Sequence, residues 1–385
     1  MTPENLKKAT LIAIKRPHHP PPVEYADDEF SFTILLHGDT ETPLFYEHLW
    51  IEPIGSFVDW GDGTSEITTA WDNSHQYAEP GAYTIFIKGI VYYGLEVIDV
   101  KTRSKSLIAI NSKYPLFHSA LHINNTAYSE NLIIVPNDLF SSIAGSSTAD
   151  GMEAFYGCKK LVAIPNGIFS GFSQVTDYQS AFYGCENIKE IPVGLFAGCI
   201  CAEDFEWCFQ GCTGLTEIPA GLFADNIYAN TFQGCFRGCT GLTEAPGGVF
   251  PAVSTHVNLT SCFRDCTGIT SISSDLFHGL SDVDLWYMFR DCTALTSLPE
   301  DLLDELSAIE MYGTFYGCTG LSQIPDDFIP STGVTDLRFC FASCTGITGN
   351  VPRLWETHQD VPHYRCFHRC TNAANYAEIP SDWKD

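Results

Sequence analysis

A Phe-x-x-Cys pair recurs nine times along the chain, from Phe155/Cys158 to Phe367/Cys370. The step is 27 residues for four intervals and 26 for the next four. Three residues after the cysteine stands an apolar side chain: Leu161, Ile188, Leu215, Leu242, Ile269, Leu295, Leu321 and Ile347. Three further on comes Ile164, Ile191, Ile218 or an equivalent, usually followed by a proline such as Pro165, Pro192 or Pro219. A second apolar pair, such as Ile168-Phe169 or Leu222-Phe223, lies ten and eleven residues after the cysteine. A degenerate earlier copy, Leu132 to Phe140 with Pro136, has Ser129 in the cysteine slot. A unit this short cannot bury its own apolar face, so the units have to stack. Leu-x-x-Ile before Pro, with a Phe-rich return leg, reads as one short strand plus one helical or 3₁₀ turn, the segment Thr213 to Pro219 being the strand half. Parallel strands about 4.8 Å apart would make nine or ten repeats a rod roughly 45 Å long. Proline is tolerated where the ladder ends.

The units Phe-x-x-Cys-Thr-Gly-Leu-Thr-x-Ile-Pro resemble the BspA-like leucine-rich repeats of bacterial and microbial surface antigens, over about residues 118–385. The last two copies drift, with Val351-Pro352 displaced by one residue and Ala377 to Pro380 by three. That drift is read as a terminal cap, which shields the open end of such a stack.

All 16 cysteines lie at or after Cys158. Nine occupy the Phe-x-x-Cys column, and Cys208, Cys235, Cys262, Cys340 and Cys366 stand just before the Phe. Other repeats hold Ala154, Ala181, Met288 or Thr314 in that second place, so compact buried filling is the favoured reading. Disulfides between layers are a weaker alternative, because equivalent positions in a stack have parallel Cβ vectors. Metal is weaker still, since no Cys or His spacing matches a zinc module. Only Cys199 and Cys201 fall outside both columns, in a variable turn where a redox or ligand pair would be conceivable.

Residues 30–100 follow a different pattern. Phe30 to Leu36 and Tyr83 to Lys88 have strand composition, with a turn signal between them at Val58-Asp59-Trp60-Gly61-Asp62-Gly63-Thr64. Together with His75-Gln76-Tyr77 and Pro80-Gly81-Ala82-Tyr83, this resembles the PKD domain, a small immunoglobulin-like β-sandwich. The resemblance implies a spacer or presenter. Asp59 and Asp62 could be taken for a calcium site or a catalytic pair, but Asp side chains commonly close turns on their own backbone. His75 reads as a histidine at the sandwich edge. Ahead of this, Lys7, Lys8, Lys15 and Arg16 lie on a short amphipathic stretch, followed by the Pro-rich spacer Pro17 to Pro22. No secretory h-region or cleavage site is evident.

The fold class expected is thus mixed: an N-terminal immunoglobulin-like (PKD) β-sandwich plus an α/β leucine-rich-repeat solenoid of about nine to ten 26–27-residue repeats. The divisions are 1–29 (anchoring segment), 30–100 (sandwich), 101–148 (connector and degenerate repeat) and 149–385 (solenoid with C-terminal cap). The chain has 20 Lys+Arg against 47 Asp+Glu, a net charge of −27, which argues against nucleic acid or anionic membrane as the main partner. No apolar run approaches a membrane span.

No phosphate loop, His-Glu-x-x-His, Gly-x-Ser-x-Gly or paired nucleophilic cysteine is present, so no enzymatic activity, cofactor or metal is expected. Recognition has more support. Positions three and two before each Phe alternate between polar and aromatic residues, including Trp207, Trp286, Tyr287, Tyr312, Phe339 and Tyr364. Aligned aromatics on a rigid stack suit a sugar ring or a protein hot spot, although such rings also cover neighbouring layers. The Thr216/Glu217 to Thr296/Ser297 ladder is a second, blander face. The function expected is display on a phage or phage-like particle (fibre, decoration or receptor-binding element), with residues 1–29 held by another structural protein through Lys7, Lys8, Lys15 and Arg16. The solenoid would then bind a host-surface glycan or protein, from a virion-surface or extracellular location. The alternative is a BspA-like bacterial surface or secreted adhesin. Self-association into a homo-oligomer is compatible with both.

Overall fold

Seven strands precede the repeats in the computed structural model, which describes residues 29–36, 45–50, 57–69, 72–78, 81–88, 107–110, 130–137, 139–140, 151–253 and 255–385. They are β1 (Glu29–Leu36), β2 (Phe45–Trp50), β3 (Phe57–Asp59), β4 (Ser65–Ile67), β5 (Asp72–Tyr77), β6 (Gly81–Lys88) and β7 (Leu107–Ile110). Five of them form an antiparallel sheet in the order β4-β3-β6-β1-β7, and β2 pairs with β5. Val58, Trp60, Tyr77, Ile85 and Ile87 are buried, so alternate residues of β6 face a core. The β3–β4 turn is closed by its own side chains. Asp59 Oδ1 accepts from Gly61 N at 2.9 Å and Asp62 Oδ1 from Thr64 N at 3.0 Å. His75 Nε2 meets Asp62 Oδ2 at 2.7 Å and its ring stacks on Trp60 at 4.8 Å. A Cβ on Gly61 would stand 2.3 Å from the Thr84 carbonyl oxygen, at φ +77°, so only glycine fits there.

The repeats are joined by a backbone ladder. Taking the Phe of each Phe-x-x-Cys as position 0, the N–H groups at −2, 0 and +2 donate to carbonyls of the following repeat. Ser180 donates to Glu206 (2.9 Å), Phe182 to Cys208 (2.8 Å) and Gly184 to Gln210 (2.7 Å). The intervening N–H groups close turns within the repeat: Ala181 to Tyr178, Tyr183 to Ser180 and Cys185 to Phe182. In this layer no donor from −2 to +3 is left over, as a buried backbone requires. This alternation needs left-handed backbone twice per repeat. Position −2 has positive φ in all nine copies, from 53° at Glu153 to 60° at Gly313, and only Gly234 and Gly313 are glycine there. Position +2 is also left-handed throughout, including Asp265, Asp291, Ser343 and Arg369. Such residues cost about 1–3 kcal/mol each and persist where the surroundings over-determine them. Here the layer-to-layer hydrogen bonds do so.

The apolar columns fill the interior. The nine Phe rings from Phe155 to Phe367 stack at 5.3–5.8 Å with planes within 10° of parallel. Residues at position −4, such as Tyr178, Phe205, Phe232, Leu285 and Met311, are buried, as are the Leu or Ile three after each cysteine. All 16 cysteines are free, and only Cys201 is not buried. The main column does more than fill space. From the second copy on, each thiol donates to the Phe carbonyl one layer earlier: Cys185 to Phe155 (3.1 Å), Cys212 to Phe182 (3.2 Å), Cys266 to Phe236 (3.0 Å), and so on to Cys370 with Phe341 (3.0 Å).

The strand lies on the opposite leg from the one expected. Parallel pairing occurs just before position −4, where β9 (Val257–Asn258), β11 (Asp282–Asp284), β12 (Ala308–Glu310) and β13 (Val334–Asp336) form a sheet in the order β13-β12-β11-β9; isolated bridges Asp177↔Asp204, Asp204↔Thr231 and Thr231↔Asn258 continue it. Among the described residues the Leu-x-x-Ile leg pairs as strand only between β8 (Glu244–Ala245) and β10 (Ser271–Ile272), besides an isolated bridge from Ile134 of the degenerate copy to Ala109. Thr213 to Pro219 carries no strand. That leg makes a single backbone bond between layers there, Thr216 N to Lys189 O, joined by the Thr216 hydroxyl on the same oxygen, and Pro219 has no N–H with which to extend it. Among the described residues helices are few: α1 (Leu354–Thr357), α2 (Ser381–Lys384) and two 3₁₀ turns. In the last layer Arg365 N and Phe367 N donate to the carbonyls of Asp382 and Trp383, so α2 satisfies donors that a further repeat would otherwise take.

Candidate functional site

Alternation on the strand leg decides what faces outward. Position −4 points into the core, while −5 and −3 flank it on the outer side. The −5 residue is usually Asp, Asn or Thr, and the reason is local. Its side chain accepts the −3 N–H in an Asx turn, at 2.8 Å for Asp177/Gln179, 2.7 Å for Asp204/Glu206, 3.0 Å for Asn258/Thr260 and 2.8 Å for Asp336/Arg338. Asp204 is half-buried. Burial, and secondly the nearby Asp177, hold its carboxyl above the ordinary value, whereas the Glu206 N–H opposes this. Glu206 is raised too, by burial and then by Asp204. It bridges two repeats by accepting from the amides of Gln179 (3.1 Å) and Gln233.

Toward the C-terminal half the −3 and −2 positions become aromatic, and the structure brings five of the six expected residues together. Ring centroids run Trp286–Tyr312 at 5.8 Å, Tyr287–Tyr312 at 5.1 Å, Tyr312–Phe339 at 5.7 Å and Phe339–Tyr364 at 5.7 Å. This line crosses four consecutive repeats. Trp286 and Tyr364 are exposed (40% and 48%), whereas Tyr287, Tyr312 and Phe339 are half-buried against their neighbours. Arginines interleave with the rings. Arg338 lies 5.1 Å from the Tyr312 centroid while its Nη2 donates to Asp336 Oδ2 at 2.5 Å, and Arg365 lies 4.9 Å from Tyr364. Trp286 Nε1 donates to Glu310 Oε2 at 2.9 Å, which fixes the indole. Tyr287, whose phenol burial pushes up to about 12, faces Arg290 at 5.1 Å.

Trp207, the sixth expected residue, stands apart, three repeats earlier. Its ring lies over Gly234, where a Cβ would come within 2.5 Å of Trp207 Cδ1. Tyr287 covers Gly313 in the same way, at 2.6 Å. The two glycines of the −2 column therefore each follow an aromatic one layer earlier. Lys7, Lys8, Lys15 and Arg16 lie outside the described residues. Cys199 and Cys201 are not set up as a reactive pair. Cys199 is buried beside the Tyr178 hydroxyl, its thiol pushed up to about 11 by burial, while Cys201 is partly exposed.

A second feature was not singled out from sequence. Residues at position +1 form their own column, beginning with Tyr156 and Tyr183, whose rings stack at 4.6 Å and 2°. It continues with Gln210 and then Arg237, Arg264 and Arg290 in three successive repeats. Beside the first four of these runs a groove of about 580 Å³, floored by Gly157, Gly184, Gly211 and Gly238 and reaching Asp265. The signal was available as three arginines spaced 27 and 26 residues apart in one register.

Among the described residues no group of three or more His, Cys, Asp or Glu could hold a metal ion, and no helix is long and apolar enough to cross a membrane. None of the curated proteins compared with the chain matches it. The family model for the BspA type leucine rich repeat region does match, in six copies over residues 146–245, 203–319 and 259–374. These stretches cover more than half of the 385 residues. With its recurrent Phe-x-x-Cys layers, the chain belongs to the BspA-type leucine-rich-repeat family.

Proposed function

We propose that this is a non-enzymatic recognition protein of the surface-adhesin type, whose repeats form a solenoid that presents one aromatic face to a glycan or protein outside the cell. The observation that carries the reading is the unbroken line Trp286–Tyr312–Phe339–Tyr364, with exposed rings at both ends and arginines between. Large amphipathic rings held rigid by their neighbours lose little entropy on binding, and Trp, Tyr and Arg dominate hot spots. Family membership supports the adhesin class. The seven N-terminal strands in two sheets, with the Trp60 turn closed by Asp59 and Asp62, support a PKD-like sandwich as the presenting module.

Attachment to a phage-like particle is a finer version of the same reading. It draws on the cationic Lys7, Lys8, Lys15 and Arg16 in a chain of net charge −27. Deleting residues 1–29 should then abolish co-purification with the particle, and retained association would remove that version.

The face itself is tested with Trp286→Ala and Tyr312→Ala on a glycan and matrix-protein array. Loss of about tenfold or more in affinity for the captured ligand is expected for each, as for hot-spot aromatics. Unchanged binding by folded variants would rule the face out.

A further inference from the structure

We infer that the groove over Gly157 to Gly238 and the arginine row that extends it bind a linear glycan carrying sparse carboxylates. This goes beyond the proposed aromatic face and would stand if that face bound nothing.

The argument begins with a cost. Arg237, Arg264 and Arg290 occupy one register in three successive layers, and like charges placed opposite one another destabilise a stack. Arg264 is held below its ordinary value by burial and by Arg237 and then Arg290 on either side, against the pull of Asp265. Only Asp265 and Asp291 stand among the three. Arg237 Nε donates to Asp265 Oδ2 at 3.2 Å, Arg290 Nε to Asp291 Oδ2 at 3.1 Å, and Arg264 Nε lies 3.4 Å from Asp265 Oδ2 without a hydrogen bond. Each of these carboxylate contacts is made through Nε, and the Arg290 guanidinium also lies over the Tyr287 and Tyr316 rings, at 5.1 and 4.6 Å. The terminal nitrogens of the three guanidiniums make no hydrogen bond among the described residues, and those are the atoms that grip carboxylate oxygens in pairs. Residues 150–385 carry 11 basic side chains against 29 acidic, so three cations in one row are a marked local departure.

The neighbouring groove defines the rest of the ligand. Its floor is backbone, its wall is the stacked Tyr156/Tyr183 pair with Gln210, its near part also carries Glu130, Lys159 and Glu186, and its far end is Arg237 and Asp265. Tyrosine edges and an amide suit hydroxyl-rich rings better than a flat apolar surface would. In the row, three arginines against two aspartates leave one unit of positive charge, whereas Glu130 and Glu186 against Lys159 leave the near part of the groove one unit negative, so the row is the place for a carboxylate and the groove for uncharged rings. A polymer with a charge on every unit would be repelled by the flanks; one with an occasional carboxylate would not.

The experiment measures binding of the full chain to four probes by calorimetry. They are a hyaluronate decasaccharide (alternating carboxylate), a neutral chitin oligosaccharide, heparin (dense sulfate) and a single-stranded oligonucleotide. Hyaluronate should bind best and weaken with salt. The triple variant Arg237→Gln/Arg264→Gln/Arg290→Gln should lose about tenfold or more, the equivalent of one charge-assisted hydrogen bond, while Trp286→Ala leaves this binding unchanged. If the triple variant does not fold, Arg264→Gln alone is the test, since it breaks no hydrogen bond. Absence of hyaluronate binding, equal binding by the folded arginine variant, or a preference for chitin, heparin or the oligonucleotide would each overturn the inference.

Discussion

The thiol of Cys239 donates to the carbonyl oxygen of Phe209, one layer earlier, at 3.1 Å. The same oxygen accepts from Cys212 N within its own repeat, also at 3.1 Å, so both its lone pairs are used. The cysteine column is therefore a donor column as well as a packing column. Cys239→Ala should destabilise by about 1–2 kcal/mol, from a small cavity plus a lost bond, and Cys239→Ser should cost less because a donor remains. Urea midpoints of the two variants check the order. Alanine equal to or better than serine would mean that the thiol acts only as volume.

Burial also makes these thiols inert. It pushes Cys212, Cys266 and Cys370 up to about 12, while Cys201 alone is partly exposed. Since the thiolate is the reactive form, iodoacetamide on the native protein at pH 8 should add a single label, at Cys201, and 16 in denaturant. Intact mass spectrometry counts them, and several rapid native adducts would contradict the burial described.

Trp207 over Gly234 gives a coupled pair. The backbone there already has φ +59°, a conformation that Ser180 and Ser261 adopt at the same position, so a side chain is not barred by φ alone. Gly234→Ala should cost about 1–3 kcal/mol, much of it from displacing the indole. In the double variant with Trp207→Ala the added cost should largely disappear, a coupling of about 1 kcal/mol or more between contacting residues. Strict additivity would show that the ring does not rest where it is described.

Asp204 should be replaceable to advantage. Asn258 fills the equivalent slot and accepts the same turn N–H at 3.0 Å, so Asp204→Asn keeps the turn while removing a charge near Asp177. The carboxyl of Asp204 is raised in the folded chain, so the folded state favours the protonated form. Its contribution is most favourable below the ordinary value of 3.8 and is lost as pH rises through the higher folded value. Asp204→Asn should therefore raise the urea midpoint at pH 7, with the gain shrinking toward pH 4. A lower midpoint at pH 7 would refute this.

Periodicity alone revealed which residues are buried. The Phe, Cys and Leu/Ile columns could be read from spacing because each repeats an identical environment. The leg that carries the strand could not be read that way. Thr213 to Pro219 has strand-like composition, but pairing depends on how many N–H groups reach the next layer, and Pro219 limits that leg. The left-handed positions were equally hidden. Glu153, Trp207, Tyr287 and Arg365 have no intrinsic preference for positive φ; bonds to the adjoining layer impose it. For the aromatic face, sequence identified Trp286, Tyr312, Phe339 and Tyr364 as aligned, but which rings stay exposed depended on contacts between layers. Arg237, Arg264 and Arg290 escaped notice because arginine at position +1 looks like ordinary solvent-facing filling until its terminal nitrogens are seen to lack hydrogen-bond partners among the described residues.

Because each layer offers the next one the same three N–H groups and receives from it the same thiol, the interior layers are interchangeable parts. Copies could be gained or lost by recombination between neighbouring units without redesign of any interface. The unit bearing Phe367 differs, since its donors are met by Asp382 and Trp383. Reach is thus a quantity that evolution can adjust in whole steps, one layer at a time, with residues 362–385 carried along unchanged at the end of the stack.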